Sequence, residues 1–86
     1  MKSVNRALDD PFMDDIDHAL GRPSDPINGG YRNYYVCPLE TDLSNKFKRS
    51  PFWEMNSIIN NGNDGVFSVT ELGRQALAKY IENRVN

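Results

Sequence analysis

Gly65-Val-Phe-Ser-Val-Thr-Glu-Leu-Gly-Arg-Gln-Ala-Leu-Ala-Lys-Tyr80 changes its hydrophobic period in the middle. Val66, Phe67 and Val69 are strand formers that suit a pleated, half-buried surface. Thr70 is a good helix cap, and the residues after it switch to helical spacing. The segment therefore reads as a strand feeding directly into a helix. In that helix Gly73, Ala76, Leu77, Tyr80 and Ile81 share one face, with Glu71, Gln75, Lys79 and Glu82 opposite. A glycine on the apolar face costs about 1 kcal/mol against alanine, so Gly73 implies a close backbone approach.

Upstream, Ser57-Ile-Ile-Asn and Val66-Phe-Ser-Val flank Asn60-Asn-Gly-Asn-Asp-Gly65. The latter is dense in residues that tolerate positive φ, and the whole reads as a hairpin with a six-residue tip. Before it, Ser50 as cap and Pro51 at the first helical position start a short helix carrying Phe52, Trp53 and Met55. Thr41 to Arg49 forms a two-turn helix with Leu43 and Phe47 inside. Tyr31 to Cys37 is rich in strand formers. Alternation places Tyr31, Asn33, Tyr35 and Cys37 on one side and Arg32, Tyr34 and Val36 on the other, and Pro38 ends the strand. Residues 22–30 form a loop with two prolines and an Asn-Gly-Gly turn signal. Asp10-Pro11 opens a first helix, residues 11–20, closed by Gly21 and Pro23. Its apolar face is Phe12, Met13, Ile16, Ala19 and Leu20, while Asp14, Asp15, Asp17 and His18 fall outside that arc. Residues 1–9 read as a loosely packed lead-in.

The fold class is therefore α+β, in the order helix, strand, helix, short helix, β-hairpin, helix. Eighty-six residues make one domain, burying roughly 60 to 65 percent of the surface exposed by the unfolded chain. No apolar run approaches the roughly 20 residues of a membrane span, and no basic-then-apolar leader opens the chain. Cys37 is the single cysteine, which fits a reducing compartment, so a cytoplasmic location is expected. Net charge is -2, with an isoelectric point near 5.2, and residues 1–30 hold six acidic groups against three basic ones. That balance argues against a general nucleic-acid-binding domain.

The order of elements resembles a winged-helix domain, and Phe67-Ser-Val-Thr-Glu-Leu-Gly-Arg-Gln-Ala-Leu77 looks like the junction in winged-helix regulators where the last wing strand enters a helix. Those regulators carry a longer, polar and basic recognition helix, whereas Ser50 to Met55 is short and apolar. A second resemblance spans more of the chain. His18-Ala-Leu-Gly-Arg-Pro23, Tyr31-Arg-Asn-Tyr-Tyr35, Ser50-Pro-Phe-Trp53 and Val69-Thr-Glu-Leu-Gly-Arg74 together resemble small uncharacterised proteins encoded by tailed bacteriophages and prophages. That resemblance implies a phage origin and a bacterial host cell, and no mechanism.

Chemistry is sparse. His18 is the single histidine and lies on the polar face of the first helix, with no second nitrogen ligand at metal-site spacing. Asp14, Asp15 and Asp17 lack the glycine and terminal glutamate of a calcium loop, and Asp14 and Asp15 suit the helix dipole. Gly29-Gly30 precedes a strand, so it is no phosphate loop. No metal, cofactor or small-molecule substrate is indicated, and the chain reads as a non-enzyme.

Tyr31, Arg32, Tyr34 and Tyr35 are of the types that anchor protein interfaces, and together with Asp14 and Asp15 they are the protein-binding candidates. Taken singly, Tyr34 and Trp53 suit the core. The expected function is a phage-type accessory protein that binds another protein, such as a host defence or regulatory factor, or its own copy. The alternative is a winged-helix DNA-binding regulator using Lys46, Lys48 and Arg49 with Asn61 and Asn63 of the hairpin, and with Arg32 or Arg74 widening the basic patch.

Overall fold

The structure is a computed structural model that describes residues 6–84. It contains α1 (Pro11–Ala19), β1 (Tyr35–Pro38), α2 (Asp42–Arg49), β2 (Trp53–Ile59), β3 (Asp64–Val69) and α3 (Glu71–Arg84). The strands form one antiparallel sheet in the order β1-β3-β2. The α+β class is as the sequence implies, and so is the junction at Thr70. Its hydroxyl accepts from Gly73 N at 3.2 Å and donates to the Pro51 carbonyl at 2.7 Å, tying the start of α3 to the entry of β2.

The caps at the other helices follow the same logic. The Asp10 carboxylate accepts from Phe12 N and Met13 N at the start of α1, and Thr41 Oγ1 accepts from Ser44 N at the start of α2. Leu20 closes α1, and Gly21 turns the chain away at φ +80°.

Ser50 to Met55 is not a helix. Ser50 adopts an extended conformation that ends α2, and from Trp53 onward the chain is β2. A proline pushes the residue before it out of the helical region, and Trp53 and Met55 are spaced by two residues, the period of a strand. They face Val69 and Phe67 across the ladder. The hairpin is present, but Asp64 and Gly65 pair within it, so its tip is residues 60–63. Asn60 and Asn61 there have φ of 55° and 58°.

The first strand is shorter than expected. It begins at Tyr35 because upstream of it the Asn33 side chain takes over the pairing. Its amide donates to Val69 O at 3.0 Å and its carbonyl accepts from Val69 N at 2.7 Å. Pro38 lies inside β1 as its last residue, opposite Asp64.

The core gathers Leu8, Ile16, Ala19, Leu20, Cys37, Phe47, Trp53, Phe67, Val69 and Leu77. Phe47 is its hub. Its ring stacks on Trp53 at 4.0 Å and meets Phe67 and Tyr35 edge-on at 5.3 Å each. Trp53 is buried as expected, whereas Tyr34 is 51% exposed and is not a core residue.

The lead-in reading of residues 1–9 also changes. Residues 1–5 lie outside the described residues, but Leu8 is buried in the core and Arg6 is clamped onto α1. Asp17 is the reason. It does not face solvent but is fully buried, accepting from Arg6 Nε at 2.8 Å and from Arg22 Nη1 at 3.1 Å.

Candidate functional site

Tyr31, Arg32 and Tyr34 come together at the C-terminal end of α1. Arg32 donates through Nε and Nη2 to the His18 carbonyl, at 3.2 and 2.6 Å. A cation on the last carbonyls of a helix is favoured by the helix dipole. The same guanidinium carbon lies 5.3 Å from the Tyr31 ring centre and 5.8 Å from that of Tyr34. The result is an arginine fixed between two tyrosines that are 69% and 51% exposed. Tyr31 also lies against Gly21, where a Cβ would fall 2.4 Å from the ring.

Beside this cluster a groove of about 240 Å³ is lined by His18, Arg32, Tyr34, Tyr35 and Val36. Tyr35 differs from the other candidates. It is half-buried, meets His18 edge-on at 5.8 Å, and joins the Phe47–Trp53 stack, so it forms the floor. Burial, and then the Asp15 charge, push its phenol above the ordinary range. The floor stays neutral and hydroxyl-bearing through the physiological range.

The acidic candidates separate. Asp14 accepts from Arg22 Nη1 at 2.7 Å and from Leu8 N at 3.1 Å. The Arg22 hydrogen bond holds its carboxyl below the ordinary value, opposed by burial. It is a framework acid rather than a displayed one. Among the described residues Asp15 has no such ion pair, and burial, followed by the charge of Asp14, raises its pKa.

The two shifts have opposite consequences for stability. Asp14 stabilises the fold above its unfolded pKa, and this is lost as pH falls through its lowered folded value. Asp15, with a raised folded value, favours folding at low pH and loses that contribution as pH rises through it. Asp15→Asn is therefore expected to raise the melting temperature by about 1–4 °C at pH 7, with the gain vanishing near pH 3. Thermal melts of both proteins across that range measure it, and a gain that persists at pH 3 contradicts the assignment.

The basic candidates do not meet the hairpin tip. Lys46, Lys48 and Arg49 occupy the last turn of α2, which runs into Trp53 opposite Val69. Asn61 and Asn63 lie at the other end of β2, roughly 20 Å along a seven-residue strand. The tip has its own hollow, about 270 Å³, lined by Pro38, Glu40, Gly62, Asn63 and Asp64, so its nearest charges are acidic. Lys46 Nζ sits 5.5 Å over the Phe12 ring. Arg74 is not part of the patch either. Its Nη1 donates to the carbonyls of Pro26 and Gly29, both at 2.9 Å, and so pins the 22–30 loop to α3.

Cys37 is 3% exposed, and burial pushes its thiol pKa up, which suits a packing residue. Among the described residues, no three His, Cys, Asp or Glu side chains are grouped as a metal ion would need, and no helix is long and apolar enough to cross a membrane. The sequence pattern pointed to Tyr31–Tyr35 as aromatic-rich. It gave no sign of the anchor on His18, because that contact joins residues 14 positions apart. No protein-family model, curated protein or solved structure matches the chain.

Proposed function

We propose that the chain is a non-enzymatic binding module that holds another protein on the Tyr31–Arg32–Tyr34 surface and its adjoining groove. One observation carries the reading: Arg32 is held between two exposed tyrosines by a helix-end carbonyl, so a hot-spot set of side chains is ordered before any partner arrives. The partner chemistry follows from the lining. An apolar or aromatic side chain suits the groove over Tyr35 and Val36, and a carboxylate or carbonyl suits the guanidinium N–H groups left beside it. The setting remains that of a phage-type accessory protein directed at a host factor.

The sheet order and the projecting hairpin support a winged-helix-like build, but α2 is followed directly by β2. Among the described residues no helix lies between α2 and β2, where a winged-helix regulator carries the helix that enters the major groove. The split between the α2 cations and the acidic tip further weighs for the protein-binding reading over the DNA-binding regulator.

Two measurements test the choice. Duplex DNA is titrated at about 50 mM salt, where phosphate contacts are strongest, and no binding is expected. Capture from host lysate is then compared for the parent chain, Arg32→Ala, Tyr34→Ala and a Lys46→Glu/Lys48→Glu pair. A partner retained by the charge-reversed pair, and lost by at least tenfold in Tyr34→Ala and Arg32→Ala with little change in melting temperature, is the expected pattern. DNA binding abolished by the Lys46→Glu/Lys48→Glu change would overturn the proposal.

A further inference from the structure

Successive residues of an edge strand turn their N–H and C=O groups alternately toward and away from the sheet. Around β1 the phase is fixed at both ends. Leu39 N donates inward to Asn63 O at 2.9 Å, the Asn33 side chain bonds inward to Val69, and Tyr34 N donates outward to Ala19 O at 3.2 Å. Tyr35 and Cys37 therefore bond to β3, opposite Phe67 and Gly65, while Val36 and Pro38 turn outward. Pro38 has no N–H, and its carbonyl accepts from Thr41 Oγ1 at 2.8 Å. Val36 is left with both backbone groups facing the groove of His18, Arg32, Tyr34 and Tyr35, and among the described residues nothing on that side bonds to them.

Building on the protein-binding reading of this surface, we infer that the groove takes the free C-terminus of the partner. That chain end lies antiparallel to β1. Its penultimate residue exchanges two hydrogen bonds with Val36, and its terminal carboxylate meets Arg32.

The closed end of the edge selects a terminus. Ala19 O already occupies Tyr34 N, so a segment running on past Val36 in the same line would have to displace that bond and the end of α1. Charge stands at the same place. Arg32 donates through Nε and Nη2 to the His18 carbonyl, and among the described residues its Nη1 bonds to nothing, so it is ready for a carboxylate. The other end of the groove is acidic, since Tyr35 and Cys37 have pKa values raised by burial first and then by acidic neighbours that include Asp15. A carboxylate is thus drawn to one end, which sets the direction of the peptide. Register then sets the side chains. The penultimate one shares the open face of Val36, which is 43% exposed, and tolerates most residues. The last one shares the face of Tyr35 and enters the hollow against the Tyr35 and His18 rings, which suits an apolar or aromatic residue. At about 240 Å³ the groove is below the size of pockets that enclose a drug-sized ligand, so the grip is confined to the last two residues.

Backbone amide NMR titration, carried to about 2 mM, tests this with a five-residue peptide ending in Val-Leu. The free acid is compared with its C-terminal amide, and with an amide in which aspartate follows the leucine and offers a side-chain carboxylate instead. The free acid is expected to bind about tenfold tighter than either amide, with the Val36 N–H resonance moving downfield as it gains an acceptor. Arg32→Gln erases that preference and Arg32→Lys keeps part of it. Val36→Pro removes an outward N–H and leaves the β3 pairing intact, so it keeps the circular-dichroism spectrum and binds about tenfold more weakly. Equal binding of acid and amide, an aspartate amide as tight as the free acid, or a Val36→Pro chain that unfolds or binds like the parent would overturn the inference. Capture from host lysate judges the protein-binding reading by itself. A partner held through Tyr34 and Arg32 even when its C-terminus is fused to another domain leaves that reading standing and overturns this one.

Discussion

Asp17→Asn is expected to be the most damaging exchange of one polar side chain for another in this protein, lowering stability by about 3–5 kcal/mol. The carboxylate is fully buried, accepting from Arg6 Nη2 on Oδ1 and from both Arg6 Nε and Arg22 Nη1 on Oδ2. Asparagine retains one acceptor oxygen and brings an N–H₂ group against guanidinium donors. Two cations then face each other across a site built for an anion, and Arg6, only 12% exposed, has little access to water. Breaking a buried pair costs more than its formation contributes, because the remaining charge keeps its desolvation penalty. Against a total of about 5–15 kcal/mol, such a loss leaves a small domain near its unfolding threshold. Urea melts give the number directly. Because Arg6 Nη2 also donates to the Pro23 carbonyl at 2.9 Å, the network joins the entry of the chain, α1 and the following loop. The double variant Arg6→Met/Asp17→Leu, which removes the isolated charge, is expected to recover at least half of the loss. A loss under about 1 kcal/mol for Asp17→Asn would mean that water reaches the pair and that it behaves as a surface ion pair.

Asp17 also shows why part of the fold was legible and part was not. A helical wheel assigns faces from residue type, and by that rule an aspartate faces water. The wheel cannot see that Arg6 and Arg22, from opposite flanks of α1, fold over the carboxylate and replace its solvent. Local chemistry was readable wherever it decided the outcome. Asp10-Pro11, Thr41 and Thr70 cap the three helices because their hydroxyl or carboxylate oxygens satisfy backbone N–H groups two or three residues away.

Ser50-Pro51 carries the same local signal and fails, because Trp53 gains more by stacking on Phe47 and pairing with Val69 than by entering a helix. At the candidate surface the residue types at Tyr31, Arg32 and Tyr34 were visible in sequence. Their exposure was not, since it follows from Asn33 turning inward to serve Val69 and leaving its neighbours outside.

Gly73→Ala carries the second large expectation, and it runs against helix propensity. Alanine in the interior of an exposed helix gains about 1 kcal/mol over glycine. At position 73 a Cβ would lie 2.6 Å from the Phe52 carbonyl oxygen and 2.6 Å from Val69 Cγ1. The first is backbone, and it is already fixed as the acceptor of Thr70 N at 2.9 Å. Relief therefore requires α3 to move off the sheet, stretching both the Thr70–Phe52 bond and the Thr70 hydroxyl bond to Pro51. Overpacking of this kind costs about 1–3 kcal/mol, and the lost hydrogen bonds add about 1 kcal/mol each. The expected net loss is about 2–4 kcal/mol, or roughly 10–25 °C in melting temperature for a domain of this size. Ala76→Gly on the same helix supplies the contrast, because its loss is limited to the propensity difference of about 1 kcal/mol plus one half-buried methyl group. If Gly73→Ala instead stabilises the protein, α3 does not rest on Phe52, and the packing of that helix against the β2 entry would have to be redrawn. If the loss is as expected, the glycine is what allows the strand of the opening segment to run straight into its helix. Thr70 sets where that helix starts, and Gly73 sets how closely it lies on the sheet.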